Sequence, residues 1–264
     1  MLEIKDSVAV ITGGARGIGK ALGEYWVANG GHVVLADVAG EHLASAAAEL
    51  KRIGGRAAAV ECDVRSEADC AKLADTAIEV FGKINLVAPF AGITRDGLML
   101  STDRETGKVV SKMSLEQFQS VLDINLTGVF LTVRECAERM IDNNCRGLIC
   151  LVSSVGALGT AGQINYSSSK AAVAVMPKVL TAEFFRRGFA DRIRCVAIAP
   201  GYVGTQMVLK MGERILDGVM EQIPIGRLIE PSEVASLIGE LYRNEAVAGE
   251  VYYISGGLRL GSRG

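Results

Sequence analysis

A tyrosine and a lysine lie four residues apart in the segment Tyr166-Ser167-Ser168-Ser169-Lys170. If the segment is helical, their side chains lie on one face, one above the other. A free phenol titrates near pH ~10 and is a poor base at neutral pH, but an ammonium group beside it favours the phenolate. The pair therefore predicts an acid–base site in which the pKa of Tyr166 is lowered. Such pairs also occur by chance on solvated helices, so the interpretation depends on the residues around it.

Two further polar residues precede this pair at places where they can take part in catalysis. Ser154 follows a predicted strand, and a hydroxyl at the carboxyl end of a strand can hydrogen-bond a substrate oxygen. Asn125 lies inside a predicted helix, where asparagine is a mediocre helix former. We expect it to hold a water molecule that passes protons from Lys170 to solvent, with a surface or packing role as the alternative.

A glycine-rich turn follows the first predicted strand and opens a helix: Thr12-Gly13-Gly14-Ala15-Arg16-Gly17-Ile18-Gly19. Gly13 can take unusual backbone angles, Gly17 lets the backbone approach a pyrophosphate, and Gly19 allows close packing of helix on strand. The helix N-terminus adds unpaired N–H groups and a positive dipole end. A glycine run alone is a weak signal, but its place between a buried strand and an amphipathic helix predicts a dinucleotide site.

Acidic residues end the second and third predicted strands. Asp37 comes about twenty residues after the glycines, a spacing suited to binding the adenosine ribose hydroxyls. Its charge repels a 2′-phosphate and argues for NAD over NADP, whereas Arg16 keeps NADP as the alternative. The other interpretation of Asp37 is a strand end or a helix cap. Asp63 is placed to reach the adenine amino group.

Short apolar runs alternate with longer helical stretches along the whole chain. The strand cores are continuously apolar, which is typical of a parallel sheet covered on both faces. We therefore predict an α/β fold, a doubly wound, Rossmann-type parallel sheet of seven strands with helices on both faces, in one domain over residues 1–264. The predicted strands are Ser7–Thr12, His32–Asp37, Arg56–Cys62, Asn85–Pro89, Gly147–Val152, Ile193–Ala199 and Glu250–Ile254; the predicted helices are Gly17–Asn29, Gly40–Ile53, Ser66–Phe81, Ser114–Asn143 and Asn165–Phe185.

Two segments interrupt this alternation. Residues 98–112 are polar around Thr106-Gly107 and predict a surface insertion in the form of a hairpin. Residues 205–224 follow a strand, are rich in Met and Leu, and are placed to act as a substrate lid. Together with Leu158 and Ile164, its apolar residues are expected to form an adaptable apolar pocket, ordinary core packing being the alternative: Met207, Val208, Leu209, Met211, Leu216, Val219 and Met220.

Composition excludes several classes of function. The net charge is −2 without a basic run, so nucleic acid and anionic membranes are not expected partners. The two histidines lack ligand spacing, and no metal site or Ser–His–Asp triad is expected. No apolar run is long enough to span a membrane. The six cysteines lack CxxC spacing and are expected to be reduced, buried thiols of a cytoplasmic protein.

The motifs occur together in the order found in the short-chain dehydrogenase/reductase family, which this chain resembles over essentially its whole length. It looks most like the β-ketoacyl-ACP reductase branch. The shared motifs are the glycine turn, the strand-end Asp37, Cys62-Asp63-Val64, Asn125, Ser-Ser-Val, Tyr-xxx-Lys and Pro200-Gly201-Tyr202-Val203-Gly204-Thr205, with Gly92-Ile93-Thr94-Arg95-Asp96 and Ser255-Gly256-Gly257.

The resemblance implies a catalytic tetrad of Asn125, Ser154, Tyr166 and Lys170. It also implies a nicotinamide cofactor, and dimers or tetramers that assemble through the two long helices. Besides Tyr166 and Lys170, the implied cofactor-binding residues are Gly13, Ala15, Arg16, Gly17, Ile18, Gly19, Asp37, Asp63, Val64, Ala91, Gly92, Pro200, Gly201, Val203 and Thr205.

Three features depart from the family pattern. Pro89-Phe90-Ala91-Gly92 stands where the family has Asn-Asn-Ala-Gly, so two polar side chains are lost from the cofactor floor, although the turn at Ala91 is expected to remain. Pro177 lies inside a predicted helix and is expected to kink it beyond Lys170. The 98–112 insertion lengthens a surface arm.

The function expected is hydride transfer between NAD(H) and a secondary alcohol or ketone, including 3-hydroxyacyl and 3-oxoacyl thioesters. An apolar pocket suits such a substrate, an alcohol or an acyl thioester. One alternative is an NADPH-dependent 3-oxoacyl-ACP reductase of fatty-acid synthesis. Another is a dinucleotide-binding partner subunit without turnover, which the lost Asn-Asn pair suggests.

Overall fold

The described part of the chain contains nine strands, seven of which are the apolar runs of the sequence. The structure, a computed structural model, describes residues 1–210 and 212–258. The strands are β1 Val8–Thr12, β2 His32–Asp37, β3 Ala57–Glu61, β4 Leu86–Pro89, β5 Leu100–Thr102, β6 Val109–Lys112, β7 Gly147–Val152, β8 Ile193–Pro200 and β9 Val251–Ile254. Seven of them form one parallel sheet in the order β3-β2-β1-β4-β7-β8-β9, as predicted.

Helices cover both faces of this sheet and bury two separate cores. One core includes Leu22, Trp26 and Tyr242 of the helices on one face. The other includes Leu73 and Met140 on the opposite face. The α-helices are α1 Gly17–Ala28, α2 Gly40–Arg52, α3 Glu67–Phe81, α4 Leu115–Leu122, α5 Gly128–Asp142, α6 Ile164–Arg187, α7 Gln206–Leu209, α8 Glu213–Met220 and α9 Pro231–Arg243. Within the described ranges, none of these helices has the length and apolar character needed to cross a membrane.

The predicted helix over residues 114–143 contains an irregular turn. Ser114 caps its start as expected, since the Ser114 hydroxyl accepts the Gln117 N–H at 3.0 Å. Between α4 and α5, however, Asp123–Thr127 form a π-helical turn, which inserts one extra residue and carries Asn125. Such turns occur frequently at functional sites.

The proline inside α6 does not end the helix. Pro177 is buried and α6 continues through it to Arg187, followed by Gly188 in the left-handed conformation. The segment that carries Tyr166 and Lys170 lies in the turns before the proline. Its backbone hydrogen bonds are therefore untouched by the missing N–H group of Pro177.

The 98–112 insertion is a two-stranded antiparallel hairpin of β5 and β6, as predicted. Gly107 takes a positive φ of 67° in its connection. At its base, the Met113 N–H donates to the Met99 carbonyl at 3.0 Å. Apolar side chains such as Val110 are exposed on this hairpin.

Candidate active site

A cleft of about 540 Å³ opens at the carboxyl ends of the central strands β1 and β4. β2 and β3 lie on one side of β1, whereas β7 and β8 lie on the opposite side, beyond β4. The direction in which successive strands are added therefore reverses between β1 and β4. Ligands of doubly wound sheets bind at such a switch point. The cleft is lined by Ser154 and by all the predicted cofactor residues except Ala15, which is buried: Gly13, Arg16, Gly17, Ile18, Gly19, Asp37, Asp63, Val64, Ala91, Gly92, Tyr166, Lys170, Pro200, Gly201, Val203 and Thr205.

The glycine turn is packed so closely that side chains do not fit at two of its positions. Gly13 has a φ of 66°, and a Cβ atom there would lie 2.9 Å from the backbone of Phe90 and Ala91. At Gly19 a Cβ atom would lie 2.3 Å from the Gly13 carbonyl oxygen. The close approach leaves the N-terminus of α1 facing the cleft, where its unpaired N–H groups favour an anion.

Asp37 lies at the end of β2 beside this turn. One carboxylate oxygen accepts the Ala15 N–H at 3.3 Å and the other accepts the Ala39 N–H at 3.2 Å. These two bonds hold the carboxylate between the glycine turn and α2. The contact with Ala39, the N-cap residue of α2, shows that Asp37 also satisfies a donor at the start of that helix.

Asp63 forms an ion pair at the rim of the cleft. The Arg65 guanidinium lies 2.6 Å from one Asp63 oxygen, and the Arg65 N–H donates to the other at 3.0 Å. The hydrogen bond with Arg65 is the main cause of a lowered pKa at Asp63. The carboxylate is therefore charged at neutral pH.

The turn after β4 keeps its geometry despite the loss of the family's two asparagines. The Phe90 N–H donates to the Thr12 carbonyl at 3.2 Å, and the Ala91 N–H donates to the Thr12 hydroxyl at 3.2 Å. Pro89 is the last residue of β4, so its missing N–H group does not interrupt the pairing of β4 with β1. The turn at Ala91 remains as predicted.

The two serines after β7 have different environments. Ser153 is buried, and its hydroxyl donates to the Lys170 carbonyl at 2.8 Å. The Ser154 hydroxyl accepts the Gly156 N–H at 3.0 Å, and Ser154 acts to lower the pKa of the Tyr166 phenol. Of the two serines, Ser154 is thus the one whose hydroxyl influences the phenol.

Lys170 and Tyr166 face the cleft together, but their pKa values differ from the sequence-based expectation. The Lys170 ammonium lies 5.7 Å from the Tyr166 ring centre and donates to the Val152 carbonyl at 3.0 Å. Desolvation lowers the pKa of Lys170 to about 8. Burial is also the main cause of a raised pKa at Tyr166, and the hydrogen bond from Ser154 only opposes it. The expected lowering of the Tyr166 pKa is therefore wrong, because burial of the phenol disfavours the phenolate more than Ser154 favours it.

Asn125 is fully buried and its side chain does not line the cleft. Its amide oxygen accepts the Ile93 N–H and its amide nitrogen donates to the Ile93 carbonyl, both at 2.9 Å. The side chain thus pairs with both backbone groups of Ile93 in the segment after β4. This fixes the segment that follows Gly92.

Replacing Asn125 with alanine should lower the free energy of unfolding by about 2 kcal/mol, because two partly buried backbone groups of Ile93 lose their partners. Denaturant unfolding followed by circular dichroism measures this. The matched control is Asn143→Ala, at an exposed helix end, for which a change of about 0.5 kcal/mol or less is expected. Equal effects of the two substitutions would contradict the role of Asn125.

Sequence reasoning missed one buried amide next to Tyr166. The Asn165 side chain accepts the Tyr166 N–H at 2.8 Å and donates to the Arg95 carbonyl at 2.9 Å. It therefore connects the start of α6 to the segment after Gly92. The available signal was the asparagine at a predicted helix start, where such residues cap N–H groups.

The apolar pocket predicted for the lid is only partly present. Val208 lines the cleft, but Leu158 and Ile164 are exposed and do not line it. In the lid, Val219 is buried and Met220 is partly exposed, whereas the Met207 side chain and Met211 lie outside the described residues.

Lining residues that sequence reasoning missed mostly follow strand ends: Ala36, Val38, Cys62, Phe90, Ile93, Thr94, Ile124, Val152, Ser153, Gln206 and Lys210.

A comparison with protein families identifies the family to which this fold belongs. The family model described as short chain dehydrogenase matches residues 7–215. The chain belongs to this family. It is therefore an oxidoreductase that uses a nicotinamide dinucleotide.

Several relatives match this short-chain dehydrogenase over most of its length. The 3-oxoacyl-[acyl-carrier-protein] reductase FabG of Aquifex aeolicus is 32% identical over 260 residues, which are 97% of this chain and 99% of the relative. The (3R)-3-hydroxyacyl-CoA dehydrogenase of Rattus norvegicus is 32% identical over 269 residues, 97% of this chain and 98% of the relative. An uncharacterized oxidoreductase of Mycobacterium bovis is 40% identical over 232 residues, 87% of this chain and 86% of the relative.

The cleft of this short-chain dehydrogenase fits the dinucleotide that the family uses. The positions of Gly13 and Gly19 have no space for a side chain, so the backbone there stays close to any bound phosphate. The charged carboxylates of the cleft lie at the ends of β2 and β3, and Tyr166 and Lys170 line the same cleft. One cleft thus combines an anion-binding turn with a phenol and an amine.

Proposed function

We propose that this enzyme interconverts 3-hydroxyacyl and 3-oxoacyl compounds, presented as neutral esters or thioesters, with NAD(H) as its cofactor. The observation that carries the proposal is the convergence of Ser154, Tyr166 and Lys170 in a cleft that also contains the glycine turn and Asp37. The substrate class is supported by relatives that match nearly the whole chain, a 3-oxoacyl-[acyl-carrier-protein] reductase and a (3R)-3-hydroxyacyl-CoA dehydrogenase.

The chain's own residues perform the acid–base chemistry. When bound, the nicotinamide supplies the acceptor or donor of the hydride. In the oxidative direction the Tyr166 oxygen accepts the proton of the substrate hydroxyl, and in reduction it returns one. Ser154 hydrogen-bonds the substrate oxygen as its charge changes. Lys170 holds the phenol and a ribose hydroxyl group in place, and Asn125 acts as a positioning residue through Ile93.

The remaining cofactor contacts follow from the lining of the cleft. The turn over residues 13–19 would bind the pyrophosphate of the cofactor, and Asp63 with Val64 would contact its adenine. Ala91 and Gly92 would form the floor of the site, and Pro200, Gly201, Val203 and Thr205, which also line the cleft, would lie against the nicotinamide. Ala15, which is buried, contributes through its N–H bond to Asp37.

The choice of NAD over NADP rests on Asp37. A carboxylate held by the Ala15 and Ala39 N–H groups suits two ribose hydroxyls and repels a phosphate. Arg16 lines the same cleft and would favour the phosphate if Asp37 were neutralised. The NADPH-dependent 3-oxoacyl-ACP reductase is the competing function.

Replacing Asp37 with serine should shift the ratio of kcat/KM for NAD to that for NADP about a hundredfold towards NADP, equal to about 2.7 kcal/mol. Initial rates with both cofactors measure this ratio. Glu41→Ser, in the exposed first turn of α2, is the matched control and should leave the ratio as in the wild type. A wild-type preference for NADPH would instead support the competing function.

Steady-state assays test the substrate class directly. We expect turnover of 3-hydroxybutyryl thioesters and esters with NAD, and of acetoacetyl thioesters with NADH. Simple secondary alcohols without an acyl group serve as comparison substrates. A kcat/KM for those alcohols that equals or exceeds the acyl values would contradict the proposed substrate class.

We further propose a single domain over residues 1–264, with the 98–112 hairpin as an insertion and residues 205–224 as a substrate lid. Dimers or tetramers through α5 and α6 are supported by exposed apolar residues on these helices, such as Phe130, Val179 and Phe185. Sedimentation velocity tests this assembly. The six buried thiols support a reducing compartment, the cytoplasm.

A further inference from the structure

A short segment after Gly92 is fixed against the start of α6. The Gly97 N–H donates to the Gly162 carbonyl at 2.7 Å. The Asp96 carboxylate accepts a hydrogen bond from the Gln163 side chain at 2.8 Å. Because Gln163 comes directly before α6, whose first turn carries Tyr166, this bond holds the Asp96 carboxylate next to the start of that helix.

Side chains of two helices, α4 and α6, hold the backbone of the same segment by hydrogen bonds. Gln117 of α4 donates to the carbonyls of Arg95 and Asp96 at 3.0 and 3.1 Å. Asn165, which is buried, donates to the Arg95 carbonyl at 2.9 Å. Four bonds therefore fix the backbone of residues 95–97, and a fifth, from Gln163, holds the Asp96 carboxylate itself.

The charge of Asp96 acts on the reacting phenol. Among the causes of the raised pKa of Tyr166, burial is the largest, the Ser154 bond opposes it, and the negative charge of Asp96 adds to it. Within residues 1–210 and 212–258, no Lys or Arg nitrogen lies within 4.0 Å of the Asp96 carboxylate to neutralise it. A charge that disfavours a phenolate at Tyr166 disfavours any other anion bound beside it.

We propose that Asp96 is a specificity-determining residue that excludes substrates with a negative charge close to the reacting carbon. This inference rests on the proposed function and refines its substrate class: neutral 3-hydroxyacyl esters and thioesters are accepted, and the corresponding free 3-hydroxy acids are rejected. The free carboxylate of a 3-hydroxy acid is two bonds from the carbinol carbon. Phosphates of a thioester's carrier arm lie many bonds away, where solvent and salt screen them.

The matched probes are 3-hydroxybutyrate and its methyl ester, which share one carbon skeleton and differ in charge. We compare their kcat/KM values with NAD for the wild type and Asp96→Asn, since asparagine keeps an acceptor for Gln163 and removes the charge. The ratio of acid to ester should rise about tenfold in Asp96→Asn. Asp96→Glu keeps the charge and should retain the wild-type ratio. Glu105→Gln removes an exposed carboxylate from the hairpin and should retain it as well.

Binding provides a readout that does not require turnover. Calorimetric titration of the NADH-loaded protein with each probe, a combination that cannot react because both partners are reduced, should give the same change in the acid-to-ester affinity ratio. Higher salt should weaken the discrimination in the wild type and have little effect in Asp96→Asn. An unchanged ratio in Asp96→Asn, in both rates and affinities, would overturn the inference. A wild type that turns over neither probe would contradict the proposed function, while the affinity ratio would still decide the role of Asp96.

Discussion

Replacing Tyr166 with phenylalanine should lower kcat about a thousandfold in both directions, because the only atom removed is the oxygen that exchanges the proton. The ring stays in its half-buried place, and the hydrogen bond that Asn165 makes to the backbone N–H of residue 166 remains. Binding of NAD should therefore change about twofold or less. Initial-rate assays with a 3-hydroxyacyl ester measure the first effect, and fluorescence titration with NADH measures the second.

A tyrosine elsewhere provides the control for this substitution. Tyr253 is 54% exposed on β9, and Tyr253→Phe should retain wild-type kcat. Since burial raises the pKa of Tyr166, the oxidative rate of the wild type should still increase with pH above neutrality. Retention of a tenth or more of the activity in Tyr166→Phe would remove Tyr166 from the mechanism.

Replacing Lys170 with methionine should lower turnover but raise the free energy of unfolding. Turnover should fall about a hundredfold or more, because the amine that holds the phenol and the cofactor ribose is lost. The free energy of unfolding at pH 7 should nevertheless rise, by up to about 3 kcal/mol. Burial of the Lys170 amine destabilises the wild type, because it lowers the pKa of this amine to about 8 from the ordinary 10.5. One pKa unit corresponds to ~1.4 kcal/mol.

The pH dependence of this stability difference has a definite sign. Below about pH 8, Lys170 is charged in both the folded and the unfolded chain, so the full cost of burying the charge is present. Between about 8 and 10.5 the folded state loses the proton first, and the wild type gains stability relative to Lys170→Met. Urea unfolding at pH 7 and pH 10 measures the difference. A control, Lys178→Met on the same helix, should show neither the loss of turnover nor this pH dependence.

The sheet and the cleft could be predicted from the sequence because their signals are local. A strand buried on both faces is continuously apolar, as in Val33-Val34-Leu35-Ala36. Parallel strands bring their carboxyl ends to one edge, so motifs that follow β1, β2 and β7 meet there. The glycine turn, Asp37 and Ser154 were found by this reasoning.

Features that depend on contacts between distant segments were not predictable in this way. The pKa of Tyr166 is set by burial, which the Tyr-xxx-Lys spacing does not encode. The environment of Asn125 depends on a π-helical turn, and the apolar spacing on either side of it looks like that of a regular helix. The position of Asp96 depends on bonds between residues 95–97 and residues 160–165, which belong to different loops.

The π-helical turn between α4 and α5 sets the rotational offset of two helices that pack on different neighbours. α4 contacts α6, which carries Tyr166, and α5 contacts α3 on the outer face of the sheet. An α-helix rotates by about 100° per residue. Deleting one residue within 123–127 would therefore either turn the buried side of α5, including Met140, towards solvent or pull Asn125 away from Ile93. We therefore expect the exposed side of α5 to accept substitutions, whereas a change of chain length within 123–127 should disrupt the packing.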